Sequence, residues 1–374
     1  MKCKITQNEL AKALKASEKS YLVKANLPVL SNILIGVSKN KLEILSTNLE
    51  TATRVTIDCQ SETDGRITVP GRVLMDFVSQ LPEGTLTIEK LGEEILVSQE
   101  GFSARLATMP AEEFPAIPKI ESGKKIEVEQ NSFAKAASQV VFCAAQDEGR
   151  PILNGILWEA NKQNFSMVAT DGYRLGFVKV PIVGSVNSVK VIIPAKTIGE
   201  MIKLVSEMQQ EGDGEALVIT IADTLTQANF KLANVEFTSR LIEGEFPNWQ
   251  KIIPTTFATS ARILREELIK RIRIAAVFAR DSGNIIRMKL EGKRLTISAT
   301  TSQVGSNETE MEVDISGKGG EIAFNYRYVL EVLAAIDSET VNFEMTESLT
   351  PGRITGEDSK TGLFHIIMPV RLQS

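Results

Sequence analysis

Apolar and polar positions along this chain follow two rhythms, and the rhythms recur in one order. Over residues 7–19 (QNELAKALKASEK), Leu10, Ala13 and Leu14 share one face of a predicted helix, and Lys12, Lys15 and Lys19 take the other. Asn8 is its expected N-cap. Strand-like runs follow at Ile33 to Val37, Leu42 to Leu45, Val55 to Ile57 and Ile67 to Pro70. A second helix is predicted from Arg72 to Leu81. A meander then takes in Leu86 to Ile88, Ile95 to Ser98 and Ser103 to Ala107, and ends at Glu113-Phe114-Pro115.

The order then restarts. A strand at Ile126 to Val128 leads to a helix at Ser132 to Cys143 and strands at Ile156 to Trp158, Phe165 to Ala169 and Leu175 to Val180. Ile192 to Pro194 feeds a helix at Lys196 to Met208, and a meander ends at Glu243-Gly244-Glu245-Phe246-Pro247. A third pass has a strand at Phe257 to Ser260, a helix at Glu266 to Phe278 and strands at Ile285 to Leu290 and Leu295 to Ala299. Ile322 to Asn325 precedes a helix at Tyr328 to Ile336, and the last strands are Val341 to Met345 and Phe364 to Leu372. Pro70, Pro194 and Asn325 hold one slot in the three passes, and Pro115 and Pro247 another. Because a repeat decides the fold before any single element does, the expectation is three α+β domains of one topology. Each has two helices and antiparallel strands, with boundaries at 1–124, 125–254 and 255–374.

Composition narrows the classes. In 374 residues with a net charge of −5, 43% are hydrophobic and 24% charged, as in a water-soluble globular protein. No run suits a membrane span or signal peptide, and three dispersed cysteines (Cys3, Cys59, Cys143) suit a reduced, cytoplasmic setting. The single histidine, His365, sits in an alternating strand, where a structural role is expected, and leaves no metal cluster or two-imidazole chemistry in view.

The most decorated turn is Thr170-Asp171-Gly172-Tyr173-Arg174-Leu175, where Asp-Gly marks a tight reversal followed by an aromatic, a guanidinium and a leucine. With no nucleophile–base pair beside it, it reads as a small binding surface. Leu45-Ser46-Thr47-Asn48-Leu49-Glu50 is its cousin in the first pass, and Ile297-Ser298-Ala299-Thr300-Thr301 a fainter one in the third. Cations also recur in register: Lys12, Lys135 and Lys270 in the first helices, and Arg72, Lys196 and Arg327 at the starts of the second. If the domains pack side by side these form a stripe fit for sequence-blind phosphate contacts, with Lys15, Lys24, Arg150, Lys203, Arg271 and Arg273 as further members. Singly, each is an ordinary solvated cation on a helix.

Four segments together resemble the bacterial sliding clamps, the β subunits of DNA polymerase III. They are Leu27-Pro28-Val29-Leu30-Ser31-Asn32-Ile33-Leu34, the Ala169 to Leu175 turn, Glu243 to Pro247 and Met368-Pro369-Val370-Arg371-Leu372, and they span all three passes. The resemblance implies a clamp fold and a head-to-tail homodimeric ring around double-stranded DNA. It implies neither catalytic residue nor cofactor. Its partners would be the replicative polymerase, the clamp loader and other proteins with a clamp-binding motif. The family's peptide pocket, carried over by position, comprises Leu153, Thr170, Gly172, Tyr173, Arg174, Leu175, Pro247, Lys251, Ile252, Met368, Pro369, Val370, Arg371 and Leu372. The DNA-facing set is Lys12, Lys24, Arg72, Lys135, Arg150, Lys196, Lys270 and Arg327. The ring seam takes Val277 and Phe278 against the strand containing Leu106. Tyr173 and Val370 stand where histidine and methionine are more usual, and Gln373-Ser374 extend the end. Two other classes compete: a nucleic-acid enzyme, which lacks a carboxylate cluster or phosphate loop here, and a repeat scaffold that binds peptides but not DNA.

Overall fold

A computed structural model describes residues 1–21, 27–117, 119–120, 122–147, 149–209, 216–301, 305–357 and 361–371. The first pass holds β1 (Lys2–Thr6), α1 (Gln7–Ser17), β2 (Asn32–Ser38), β3 (Lys41–Thr47), β4 (Thr51–Asp58), β5 (Gln60–Thr63), β6 (Gly65–Pro70), α2 (Gly71–Gln80), β7 (Thr85–Leu91), β8 (Glu94–Gln99) and β9 (Phe102–Ala107). The second holds β10 (Gly123–Glu129), α3 (Gln130–Ser138), β11 (Gly155–Lys162), β12 (Asn164–Thr170), β13 (Arg174–Val180), β14 (Val186–Pro194), α4 (Ala195–Gln209), β15 (Ala216–Ala222), β16 (Gln227–Leu232) and β17 (Val235–Arg240). The third holds β18 (Thr259–Leu264), α5 (Arg265–Ala279), β19 (Ile285–Glu291), β20 (Arg294–Thr301), β21 (Gly305–Glu312), β22 (Asp314–Gly317), β23 (Gly320–Asn325), α6 (Tyr326–Ala335), β24 (Thr340–Met345), β25 (Gly352–Gly356) and β26 (Phe364–Ile367). The repeated α+β order expected from the pattern is present.

Local chemistry moved several ends. α1 is capped by Thr6 rather than Asn8. The Thr6 hydroxyl accepts from the Glu9 amide at 3.3 Å and donates to the Glu9 carboxylate at 2.6 Å. The predicted helix to Cys143 stops at Ser138, whose hydroxyl bonds back to the Lys135 carbonyl. The β-branched Val140 and Val141 follow, and Val141–Cys143 forms a separate 3₁₀ turn. The last strand ends at Ile367, not Leu372, because Pro369 has no N–H for a ladder. Leu372 lies outside the described residues.

The chain divides into two compact bodies, Met1–Gln130 with Lys203–Leu241, and Asn131–Ile202 with Ile242–Ser374. In the first, an eight-stranded sheet runs β10-β15-β16-β17-β4-β3-β2-β6 and a five-stranded one β5-β1-β7-β8-β9. The larger sheet crosses from the second pass into the first through the antiparallel pair β17 and β4. In the second body a nine-stranded sheet runs β14-β11-β12-β13-β26-β25-β24-β18-β22 and a four-stranded one β21-β20-β19-β23. There β13 pairs antiparallel with β26, again joining two passes. Helices cover the sheets with their apolar stripes. Leu10 and Leu14 of α1 and Leu74 and Val78 of α2 are fully buried in the first body. Phe133 of α3 meets Trp158 edge-on at 5.8 Å in the second.

Candidate peptide groove and basic helix faces

The Asp171 turn owes its form to its own side chains. The Asp171 carboxylate accepts from the amides of Tyr173 (2.8 Å) and Arg174 (2.9 Å). The Thr170 hydroxyl donates to the Arg174 carbonyl (2.6 Å) and accepts from the Gly172 amide (3.1 Å). Gly172, at φ 90°, occupies the left-handed region that the reversal requires. From outside, the Arg150 guanidinium holds the Asp171 carbonyl at 2.7 Å and the Asp147 carboxylate at 2.7 Å.

Arg174 is not a surface guanidinium. It is 9% exposed and lies 4.5 Å over the Tyr328 ring. It donates to the Asp171 carboxylate (3.1 Å), the Phe142 carbonyl (2.7 Å) and the Glu331 carboxylate. Burial works against its charge, but the Glu331 hydrogen bond and the acids nearby hold its pKa above the usual arginine value. A planar fork satisfied on every side acts as a strut beneath the turn.

The residues assigned to the pocket divide into buried and exposed ones. Leu175 is fully buried in a cluster with Leu157, Val168, Ile192, Phe246, Trp249 and Ile366. Phe177 stacks on Trp249 at 5.3 Å and on Phe364 at 5.0 Å. Tyr173 is 58% and Ile252 40% exposed, while Pro247 and Lys251 are open to solvent and Leu153 half-buried. The closing segment is pinned beside the turn: the Met368 amide donates to the Tyr173 carbonyl and the Val370 amide to the Ala323 carbonyl, both at 2.8 Å. Pro369 lies half-buried between them. Val370 and Arg371 share a depression of about 520 Å³ with Ala323, Ser348 and Leu349. Pattern reading missed Leu349, which is 54% exposed and whose only sequence signal is a leucine before a Thr-Pro turn.

The recurring cations hold equivalent helical positions: Lys12, Lys135 and Lys270 are each sixth in α1, α3 and α5, and Arg72, Lys196 and Arg327 each second in α2, α4 and α6. All are exposed. Arg72 pairs with Asp76 at 3.1 Å and Lys135 with Asp337 at 2.6 Å. Lys24 lies outside the described residues. Val277 is 58% exposed and Phe278 half-buried on α5, and Leu106 is half-buried on β9.

The remaining reactive groups are built into the core. His365 is fully buried, its Nε2 bonded to the Gln139 carbonyl at 2.8 Å, and burial lowers its pKa to about 4. Burial pushes the Cys3 thiol up to about 12 and also raises Cys59 and Cys143. Among the described residues no group of His, Cys, Asp and Glu could hold a metal ion, and no helix is long and apolar enough to cross a membrane.

Comparison with known proteins places these features in a family. Residues 1–118, 127–248 and 250–371 match the N-terminal, central and C-terminal domains of the DNA polymerase III β subunit. The β sliding clamp of Pseudomonas aeruginosa is 31% identical over 352 residues, covering 92% of this chain and 93% of that protein. That of Synechocystis is 27% identical over the whole of both chains. Among solved structures, the β subunit from Thermotoga maritima superposes with a TM-score of 0.92 at 27% identity over the full length of both. A Pseudomonas aeruginosa clamp bound to griselimycin gives 0.92 at 28% identity, again over both full chains. Three clamp domains of one α+β design, with the turn and closing segment set out above, make this chain a member of the DNA polymerase III β subunit family, the bacterial β sliding clamps.

Proposed function

We propose that the chain closes with a second copy into a ring around double-stranded DNA. As a non-catalytic cytoplasmic processivity factor, it would tether the replicative polymerase and other motif-bearing partners to the duplex. The observation that carries this reading is a junction made twice and left open once. β4 pairs with β17 and β13 with β26, and their counterparts in the remaining passes, β21 and β9, are unpaired edges of their sheets. An exposed edge is a template for strand addition, and β21 of one copy against β9 of the next gives two heterologous seams that close a ring. Exposed Phe102 on β9 and Ile274 and Val277 on α5 supply apolar surface for such a seam.

Retention by topology asks little of the inner surface, so the exposed cations of the six helices suffice for weak phosphate contacts on a chain of net charge −5. A groove formed by the exposed Tyr173 and Ile252 with Val370 over the apolar cluster of Leu175, flanked by the exposed cations Lys251 and Arg371, would suit a short peptide with hydrophobic anchors. That groove would also receive the clamp loader. Tethering then raises the polymerase's effective concentration at the primer end. The test is retention on plasmid DNA after assembly with a clamp loader and ATP. Closed circles should keep the chain through gel filtration in salt and release it on linearisation; equal retention on linear DNA would exclude encirclement.

A further inference from the structure

The Asp171 turn has a twin at the junction of the first and second passes, bond for bond. The Asn48 carboxamide oxygen accepts from the amides of Glu50 (3.0 Å) and Thr51 (2.7 Å), as Asp171 does from Tyr173 and Arg174. The Thr47 hydroxyl donates to the Thr51 carbonyl (2.9 Å) and accepts from the Leu49 amide (3.0 Å), as Thr170 does in its own turn. Leu49 takes the place of Gly172 and adopts φ 75°, a left-handed conformation unfavourable for leucine, while leaving its side chain 49% exposed. Beneath it, Val29, Leu30, Leu34, Leu45 and Phe114 form the counterpart of the second junction's apolar cluster.

The twin differs in what lies on the shared sheet. Where the second junction pairs Leu175 with Ile366 and Phe177 with Phe364, the first pairs Ala52 with Thr238 and Arg54 with Glu236. The aromatic stack that fills the second junction is thus replaced by short and polar side chains, and the space opens into two clefts of about 220 and 370 Å³ that share Ala52, Ile117 and Thr238. Their apolar lip is Leu49, Pro115 and Ile117; their cations are Arg54, Lys119, Lys125 and Arg240, against Glu50 and Glu236. Arg54 pairs with Glu43 at 3.3 Å. Lys119, Lys125 and Arg240 are exposed and make no ion pair among the described residues.

We propose that this cleft is a second peptide-docking site, selective for an extended acidic segment with one apolar anchor. The strained, exposed Leu49 meets the anchor, and Lys119, Lys125 and Arg240 meet the carboxylates. The proposal borrows the peptide reading of the second junction as its precedent, so the two are tested with separate probes on the full-length protein. Fluorescence anisotropy would follow a labelled acetyl-Asp-Glu-Glu-Leu-Glu-Asp-amide for the first junction and a Gln-Leu-x-Leu-Phe peptide for the second. The acidic probe should weaken at least tenfold in Lys125→Glu with Arg240→Glu, with the other probe unchanged. It should keep its affinity in a chain ending at Val370 and in Lys293→Glu with Arg280→Glu, a charge reversal at exposed positions elsewhere. Binding weaker than about 1 mM in the wild type would overturn the proposal. So would loss in the shortened chain, or equal loss in both charge reversals. Failure of the Gln-Leu-x-Leu-Phe probe alone would overturn the peptide reading of the second junction and leave the acidic site standing.

Discussion

Burying Arg174 makes sense only because acids at two sequence distances converge on it. Asp171 is a local partner that pattern reading could pair with it, but Glu331 is 157 residues away and no periodicity points to it. Pattern reading therefore found the residue and not the distant acid that holds it. Arg174→Ala should cost roughly 3 kcal/mol of stability, because two carboxylates and the Phe142 carbonyl lose their donor. Arg174→Lys should recover only part, since an ammonium cannot reproduce the fork; thermal denaturation of both variants checks this. His365 makes a pH-dependent contribution of defined sign. Its folded pKa of about 4 lies below the ordinary 6.5, so the unfolded chain binds the proton more readily between those values. Stability is then full above 6.5 and falls as pH drops toward 4, by up to about 3 kcal/mol. Denaturant midpoints across that interval should fall steeply for the wild type and less so for His365→Gln.

Among elements, helices were the most legible, because an apolar stripe at helical spacing needs no partner in sequence to be seen. Strands β1, β5, β21, β22 and β25 escaped notice. β5 (QSET) and β22 (DISG) carry no apolar alternation, and the ladder of a neighbouring strand defines them. Register survived better than boundaries: Lys12, Lys135 and Lys270 hold one slot although α1 ends two residues and α3 five residues before the predicted ends. Replacing these three lysines with glutamate alters exposed positions, so melting should change by less than about 1 kcal/mol. Retention on circular DNA should drop sharply, measured by the same gel-filtration assay. A peptide-binding scaffold with no DNA role would show no such retention even as wild type, and its peptide binding would be untouched by the substitutions.

At the scale of the molecule, the threefold repeat was legible from the order of its signals, while the sheets that cross from one pass to the next were not. Cross-repeat partners such as Thr51 and Ser239 are ordinary strand residues with nothing in sequence to mark their pairing. If β9 and β21 meet between copies, Val277→Asp with Phe278→Ser should turn a dimer into a folded monomer. Sedimentation velocity would show it, and an unshifted coefficient would move the seam elsewhere.

The continuity of those sheets also sets where the molecule can yield. Within one chain, β4 with β17 and β13 with β26 are sealed into sheets of eight and nine strands, so separating them means tearing the middle of a sheet. Their amides should exchange with deuterium only through global unfolding, whereas the outer amides of β9 and β21 should exchange within local fluctuations until a second copy covers them. If two copies close a ring, its clasp is the intermolecular edge, and the stiffness inside each body is that of its own unbroken ladder of eight or nine strands.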